Sequence, residues 1–148
     1  MLFLDGETGT HIDELGGMNV FFVHGTDTLV TPRLTGTILE GVTRDSIIQL
    51  ARDRGMTVEE RDVTVDEWRD GVASGEITEV FACGTAAVVT PIAQLKGVGF
   101  EIGSADAPAG EITMALRQEL TDIQYGRLPD RHGWLMRLDA AAETEVTA

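Results

Sequence analysis

Two short stretches, Gly41-Val42-Thr43 and Gly84-Thr85-Ala86, each set a glycine and a hydroxyl side chain at the end of extended structure. Backbone N–H groups in such turns attract anions. The attraction is strongest in the first turn of a helix, where no carbonyl accepts those hydrogens and the peptide dipoles add up behind them. Two such loops facing one phosphate would make a socket. A third candidate is Glu14, an acid between Ile12 and Leu15 that is followed by Gly16 and Gly17. A carboxylate in a partly apolar pocket accepts a hydrogen bond from a ligand N–H and keeps that nitrogen cationic. Each candidate also has a plainer reading: Thr43 as a simple helix cap, Glu14 as an exposed turn acid. Spacing does not say whether the loops meet.

Other constellations offer less. His11, His24 and His132 show no metal-ligand spacing and read as surface or turn residues. Cys83 is the single cysteine, so no disulfide closes within the chain, and its strand-like context suits a small buried apolar residue. Glu59 and Glu60 are adjacent on a predicted strand, which points them to opposite faces and into solvent. Lys96 is the only lysine, so any covalent amine chemistry would fall on it. It stands beside Gly97 on a predicted hairpin and reads as solvated, whereas an amine that forms Schiff bases is usually desolvated.

The elements that must position these residues follow from periodicity. Ile47, Leu50 and Ala51 repeat at three- and four-residue spacing, which predicts a helix from about Thr43 to Arg54, stopped by Gly55. Before it, Met1 to Leu4 and Val20 to Val23 read as strands, and His24 to Thr28 as the turn of a hairpin ending near Pro32. After it, Thr57 to Asp62 reads as an exposed strand. Thr64-Val65-Asp66-Glu67 has the spacing of a capping box and starts a short helix closed by Gly75. Ile77 to Cys83 reads as a buried strand, Val88 to Ile92 as extended, and Leu95 to Ile102 as a second hairpin. Gly110-Glu111 opens a last helix with Ile112, Leu116 and Ile123 inward, ended by Tyr125-Gly126. Trp134 to Leu138 is expected to dock as a final strand, and 139–148 to form a flexible tail.

The chain has 148 residues and a net charge of −14, enough for one domain with a sizeable core. That charge argues against nucleic acid and anionic membrane as partners, since both need a basic surface. The N-terminus carries no basic region followed by a long apolar core, and no apolar run suffices to cross a bilayer. Together with the cysteine usage, this reads as cytoplasmic.

Four longer stretches carry a resemblance: 13–21 (Asp-Glu-Leu-Gly-Gly-Met-Asn-Val-Phe), 39–44 (Leu-Glu-Gly-Val-Thr-Arg), 79–86 (Glu-Val-Phe-Ala-Cys-Gly-Thr-Ala) and 133–138 (Gly-Trp-Leu-Met-Arg-Leu). With these the chain closely resembles, from about Leu2 to Leu138, the C-terminal half of the branched-chain amino-acid aminotransferases, fold-type IV enzymes dependent on pyridoxal 5'-phosphate. The Met18-Asn19 pair after two glycines favours that group over its sister enzymes, the D-amino-acid aminotransferases and aminodeoxychorismate lyases. A non-catalytic phosphate- or partner-binding module is the other alternative.

The resemblance implies a mixed α/β fold, a β-rich, barrel-like cofactor domain flanked by helices over 1–138. It implies that Glu14 contacts the pyridine nitrogen, that Leu39 packs on the ring, and that Val42, Thr43, Gly84 and Thr85 hold the phosphate. Gly17, Thr85 and Ala86 would lie at the substrate. It places the Schiff-base lysine a few dozen residues before the position of Glu14, and a phosphate-binding arginine in the N-terminal half; neither is in this sequence, and Lys96 does not take the lysine's role. No catalytic residue and no metal ligand is therefore assigned. The intact enzyme would move an amino group from leucine, isoleucine or valine to 2-oxoglutarate, as a homodimer. This chain alone is expected to be inactive and to bind the cofactor weakly.

Overall fold

The computed structural model describes residues 1–136 and residue 138. Its centre is a five-stranded sheet. Strand β3 (Asn19–His24) is flanked on one side by β4 (Thr28–Thr31) and on the other by β6 (Ile77–Gly84); β5 (Thr57–Glu60) and β7 (Val88–Pro91) form the two edges. All pairs are antiparallel except β4 with β5, which is parallel. A parallel pair needs a crossover, and the crossover here is helix α1 (Val42–Asp53). Two smaller antiparallel ribbons complete the strands: β1 (Leu2–Leu4) with β2 (Ile12–Leu15), and β8 (Gln94–Gly97) with β9 (Phe100–Gly103). Helix α2 (Val65–Ser74) precedes β6, and α3 (Glu111–Gln124) follows β9.

Successive side chains of a strand point to opposite faces, and here both faces are covered. Phe21, Val23, Phe81 and Cys83 pack with Ile47, Leu50, Leu116 and Ile123 of α1 and α3. Val20, Phe22, Val80 and Ala82 pack with Trp68 of α2, Ile102 of β9, and Ile12 and Leu15 of β2. This two-sided burial explains why 19–23 is nearly continuous in apolar residues rather than alternating. No described helix is long and apolar enough to cross a membrane.

The predicted helices and hairpins are present. Thr64 caps α2 by accepting from the Glu67 amide at 3.0 Å, and Gly75 closes the helix at φ 80°. His24 faces Thr28 across the first hairpin. Two expectations are corrected. Trp134–Met136 form no strand: the Asp130 carboxylate takes the amides of His132 and Leu135, which leaves them no ladder to join. Arg137 and 139–148, with the expected tail, lie outside the described residues. Glu59 and Glu60 do diverge, but not into bare solvent; Glu59 pairs with Arg61, and Glu60 with Arg44 and Arg52.

Helix α3 is held by an acid from the sheet. Its preceding residue, Gly110, has no capping side chain, and Glu79 of β6 fills that place by accepting from Ile112 N, Thr113 N and Thr113 Oγ1 at 3.0, 2.7 and 2.7 Å. A negative group at a helix start satisfies orphan donors and complements the dipole. Gly110 is required there because a Cβ would overlap the Glu79 carboxylate. Glu79→Ala is expected to cost about 2 kcal/mol, with Glu79→Gln intermediate, in urea unfolding. Equal losses for the two variants would show that the charge carries the whole effect, and a wild-type stability for Glu79→Gln that it contributes nothing.

Candidate functional site

Helix α1 starts with an open first turn. Gly41 precedes it in extended conformation (φ −73°, ψ 126°) and provides no side-chain acceptor; the helical ladder begins with Asp45 N donating to Gly41 O at 3.0 Å. The amides of Val42, Thr43 and Arg44 therefore point out of the helix without an intrahelical acceptor. Thr64 and Glu79 fill the corresponding positions of α2 and α3, so among the three described helices α1 alone lacks such an acceptor. Thr43 is the second residue of the helix and not its cap, which disposes of the plainer reading. Around this turn the surface is apolar and open: Leu39 is 69% and Val42 84% exposed.

The other loops reach the same end of the sheet. Asn19, the first residue of β3, pairs with Cys83 near the end of β6, so the β2–β3 turn and the β6–β7 turn are neighbours. A Cβ on Gly84 would meet Met18 Cγ at 3.3 Å. From the third side, Asn19 Nδ2 donates to the Leu39 carbonyl at 3.0 Å, which brings the approach to α1 alongside. Gly17, Leu39, Val42, Thr43, Gly84, Thr85 and Ala86 thus belong to three segments gathered at one end of the sheet, Val42 and Thr43 opening α1 and Gly84 ending β6. Thr85 and Ala86 are exposed in the turn that joins Gly84 to its partner Val88. Val88 is held at φ 57°, the left-handed region that a β-branched residue rarely enters. Backbone held in that region is found where surrounding structure imposes it, often at binding loops.

Glu14 is placed differently. It lies half-buried in β2, opposite Phe3 of β1, next to the tight turn that Leu15 and Met18 close with hydrogen bonds of 2.9 and 3.0 Å. Its carboxylate forms no hydrogen bond among the described residues. The hydrogen bond from the loop ahead of α1, given by Thr37 Oγ1 at 3.2 Å, goes to its neighbour Asp13.

Two residues at this edge gave little sign of their place in the sequence. Asn19 is 5% exposed, and Gly41 is glycine because a Cβ would overlap the Asn19 side chain. Arg44, only 4% exposed, donates through Nη2 to Pro32 O at 3.0 Å and to Glu60 at 2.9 Å, while its Nε finds no partner among the described residues. The available hints were an amide side chain inside an apolar run, and a cation in a helix's first turn, where the dipole disfavours it.

The remaining candidates behave as follows. Cys83 is fully buried, and burial pushes its thiol up to about 12 although Arg44 pulls the other way. Since the thiolate is the nucleophile, iodoacetamide at pH 8 is expected to leave native Cys83 unmodified and to react once urea unfolds the chain. Fast native labelling would place the thiol at the surface. Lys96 is exposed and lies 3.6 Å from Glu101 across its hairpin. His24 and His132 are less superficial than expected: His24 is mostly buried near Glu76, and His132 stacks on Trp134 and meets Asp53 at 2.7 Å.

Comparison with known proteins bears on this arrangement. Residues 2–95 match the family model described as "Amino-transferase class IV". The branched-chain-amino-acid aminotransferase of Mycobacterium tuberculosis (strain CDC 1551 / Oshkosh) is 53% identical over 141 residues, 93% of this chain but 38% of that protein. The Mycolicibacterium smegmatis relative is 53% identical over 142 residues, 94% of this chain and 39% of its own length. The chain thus spans under two-fifths of these curated relatives. Among solved structures, the branched-chain aminotransferase of Escherichia coli superposes with a TM-score of 0.75 at 32% identity, covering 92% of this chain and 40% of that one. A T.th. branched-chain aminotransferase solved with N-(5'-phosphopyridoxyl)-L-glutamate gives 0.75 at 32% identity, covering 91% and 41%. With the fold and the family model in agreement over most of its length, the chain belongs to the class IV aminotransferases.

Proposed function

We propose that this chain is the cofactor-binding part of a branched-chain amino-acid aminotransferase that uses pyridoxal 5'-phosphate to exchange amino groups between leucine, isoleucine or valine and 2-oxoglutarate. The observation that carries the reading is the uncapped start of α1, joined through Asn19 to the end of β6 and its turn: open amides, a hydroxyl on each segment, and, among the described residues, no side-chain hydrogen bond capping the helix. These groups fit a phosphate. Val42 and Thr43 hold it from the helix, Gly84 and Thr85 from the turn, and Leu39 covers the ring. Glu14 accepts a hydrogen bond from the pyridinium N–H, and its carboxylate has no competing partner among the described residues. Gly17 leaves room at the substrate, and the amides of Thr85 and Ala86 orient its carboxylate. Bound there, the cofactor supplies the electron sink for carbanion chemistry. The chain's share is orientation and electrostatics.

The proposal is tested by titrating the chain with pyridoxine 5'-phosphate, which binds without reacting with amines. Weak saturable binding is expected, and Thr43→Ala and Thr85→Ala should each lower affinity about tenfold, the worth of one charge-assisted hydrogen bond. Separately, borohydride reduction with pyridoxal 5'-phosphate should leave Lys96 substoichiometrically labelled. Stoichiometric labelling at Lys96, or binding indifferent to both threonines, would overturn the assignment.

A further inference from the structure

We propose that Asn19 is the positioning residue that locks the open start of α1 to the β6–β7 turn, so that the two loops form one rigid socket rather than two independent ones. The inference deepens the cofactor reading and rests on it for the identity of the anion.

The two loops are far apart in sequence, and neither is held to the other by its own side chains in the hydrogen bonds described. Asn19 reaches both. Its backbone opens β3 directly opposite Cys83, one residue before Gly84 and the turn. Its side chain reaches the approach to α1, where Nδ2 donates to Leu39 O at 3.0 Å and Oδ1 lies against Gly41. The orientation of the amide follows from chemistry, because the Leu39 carbonyl can only accept. Asn19 is nearly sealed from water, so this hydrogen bond has little solvent competition. The fit is reciprocal, since the glycine at 41 makes room for the asparagine at 19. Two amide sets aimed at one phosphate add their attraction only if their separation is fixed before the ligand arrives; otherwise ordering them subtracts from binding.

The test has a reading that needs no ligand. In the ligand-free 148-residue chain, ¹⁵N relaxation should report rigid amides at Val42, Thr43, Thr85 and Ala86, with order parameters near 0.85. Asn19→Ala keeps the backbone pairing with Cys83 but removes the amide held by Leu39, so it should drop Val42 and Thr43 toward 0.6 while Thr85, Ala86, Leu50 and Val89 stay rigid. Gly41→Ala disturbs the same contact from its other side, and serves equally should Asn19→Ala fail to fold. In the Asn19→Ala background the space is already empty, so Gly41→Ala should add little, a non-additivity that general destabilisation would not produce. Titrated with pyridoxine 5'-phosphate, the wild-type chain should give one dissociation constant at Thr43 and Thr85, weakened about tenfold in either single variant. If Asn19→Ala leaves Val42 and Thr43 rigid, or loosens Leu50 and Val89 just as much, the proposal is wrong. If Asn19→Ala loosens the start of α1 as expected yet the wild-type chain never binds the phosphate ester, the coupling stands and the cofactor reading falls.

Discussion

Replacing Arg44 with alanine is expected to lower the unfolding free energy by about 3 kcal/mol, at the low end of what breaking a buried ion pair costs. The guanidinium is sealed between α1, the end of β4 and the end of β5, where it satisfies the Pro32 carbonyl and pairs with Glu60. Alanine leaves a void, an unpaired carbonyl, and a carboxylate with only Arg52 at 3.5 Å. The loss stays near the low end because Glu60 is 38% exposed and water reaches it. Arg44→Met separates the causes. It refills most of the volume without charge, and should recover more than half of the loss, since the wild-type Nε has no partner and its desolvation is uncompensated. Urea unfolding monitored by circular dichroism measures all three proteins. Equal losses for alanine and methionine would mean that charge, not packing, carries the effect.

Arg44 also works against its own helix, since a cation in the first turn opposes the macrodipole. Local rules are usually broken where function requires it. Under the phosphate reading, the buried charge adds positive potential beside the open amides in a chain whose net charge is −14. Arg44→Met should then weaken pyridoxine 5'-phosphate binding several-fold even where stability is largely restored. Undiminished binding would confine Arg44 to a structural part.

The division between what was legible in the sequence and what was not follows the range of the interactions. Helix α1 could be read from Ile47, Leu50 and Ala51, and α2 from the Thr64 and Glu67 pair, because both depend on neighbours within a turn or two. The pairing of β3 with β4 was likewise local. The gathering of the three loops was not, since it depends on β3 lying beside β6 across more than fifty residues. Glu79 looked like one acid in a strand, and its work as the cap of α3 spans 33 and 34 positions. The strand expected at Trp134 failed for a similar reason: apolar residues suggested pairing, while the Asp130 carboxylate drew their amides into a turn. Glu14 illustrates the opposite case. It was singled out as a candidate, but the strand that holds it was not expected, and Asp13 beside it makes the contact to the loop before α1, because adjacent residues face opposite ways.

Phe81→Ala is expected to cost about 4 kcal/mol, the largest effect of any substitution considered and a substantial fraction of the roughly 5–15 kcal/mol that stabilises a domain. Phe81 and Phe21 are both fully buried and stack with centroids 5.0 Å apart and planes 10° from parallel. They are also direct partners across β3 and β6, so one contact belongs to the core and to the ladder. Alanine removes the ring, and Ile47, Leu50 and Leu116 of the same buried cluster belong to helices already packed on the sheet, which limits collapse. Phe81→Leu should cost only about 1 to 2 kcal/mol, since it keeps most of the volume. The consequence reaches the site because the same pairing aligns Asn19 with Cys83; a slip of one residue would send Phe21 and Phe81 to the wrong faces and separate the turns. Denaturant unfolding and amide exchange at Asn19 and Cys83 measure the two effects together. A loss below about 1.5 kcal/mol for alanine would show that the stacked pair is loosely packed and does not hold the register.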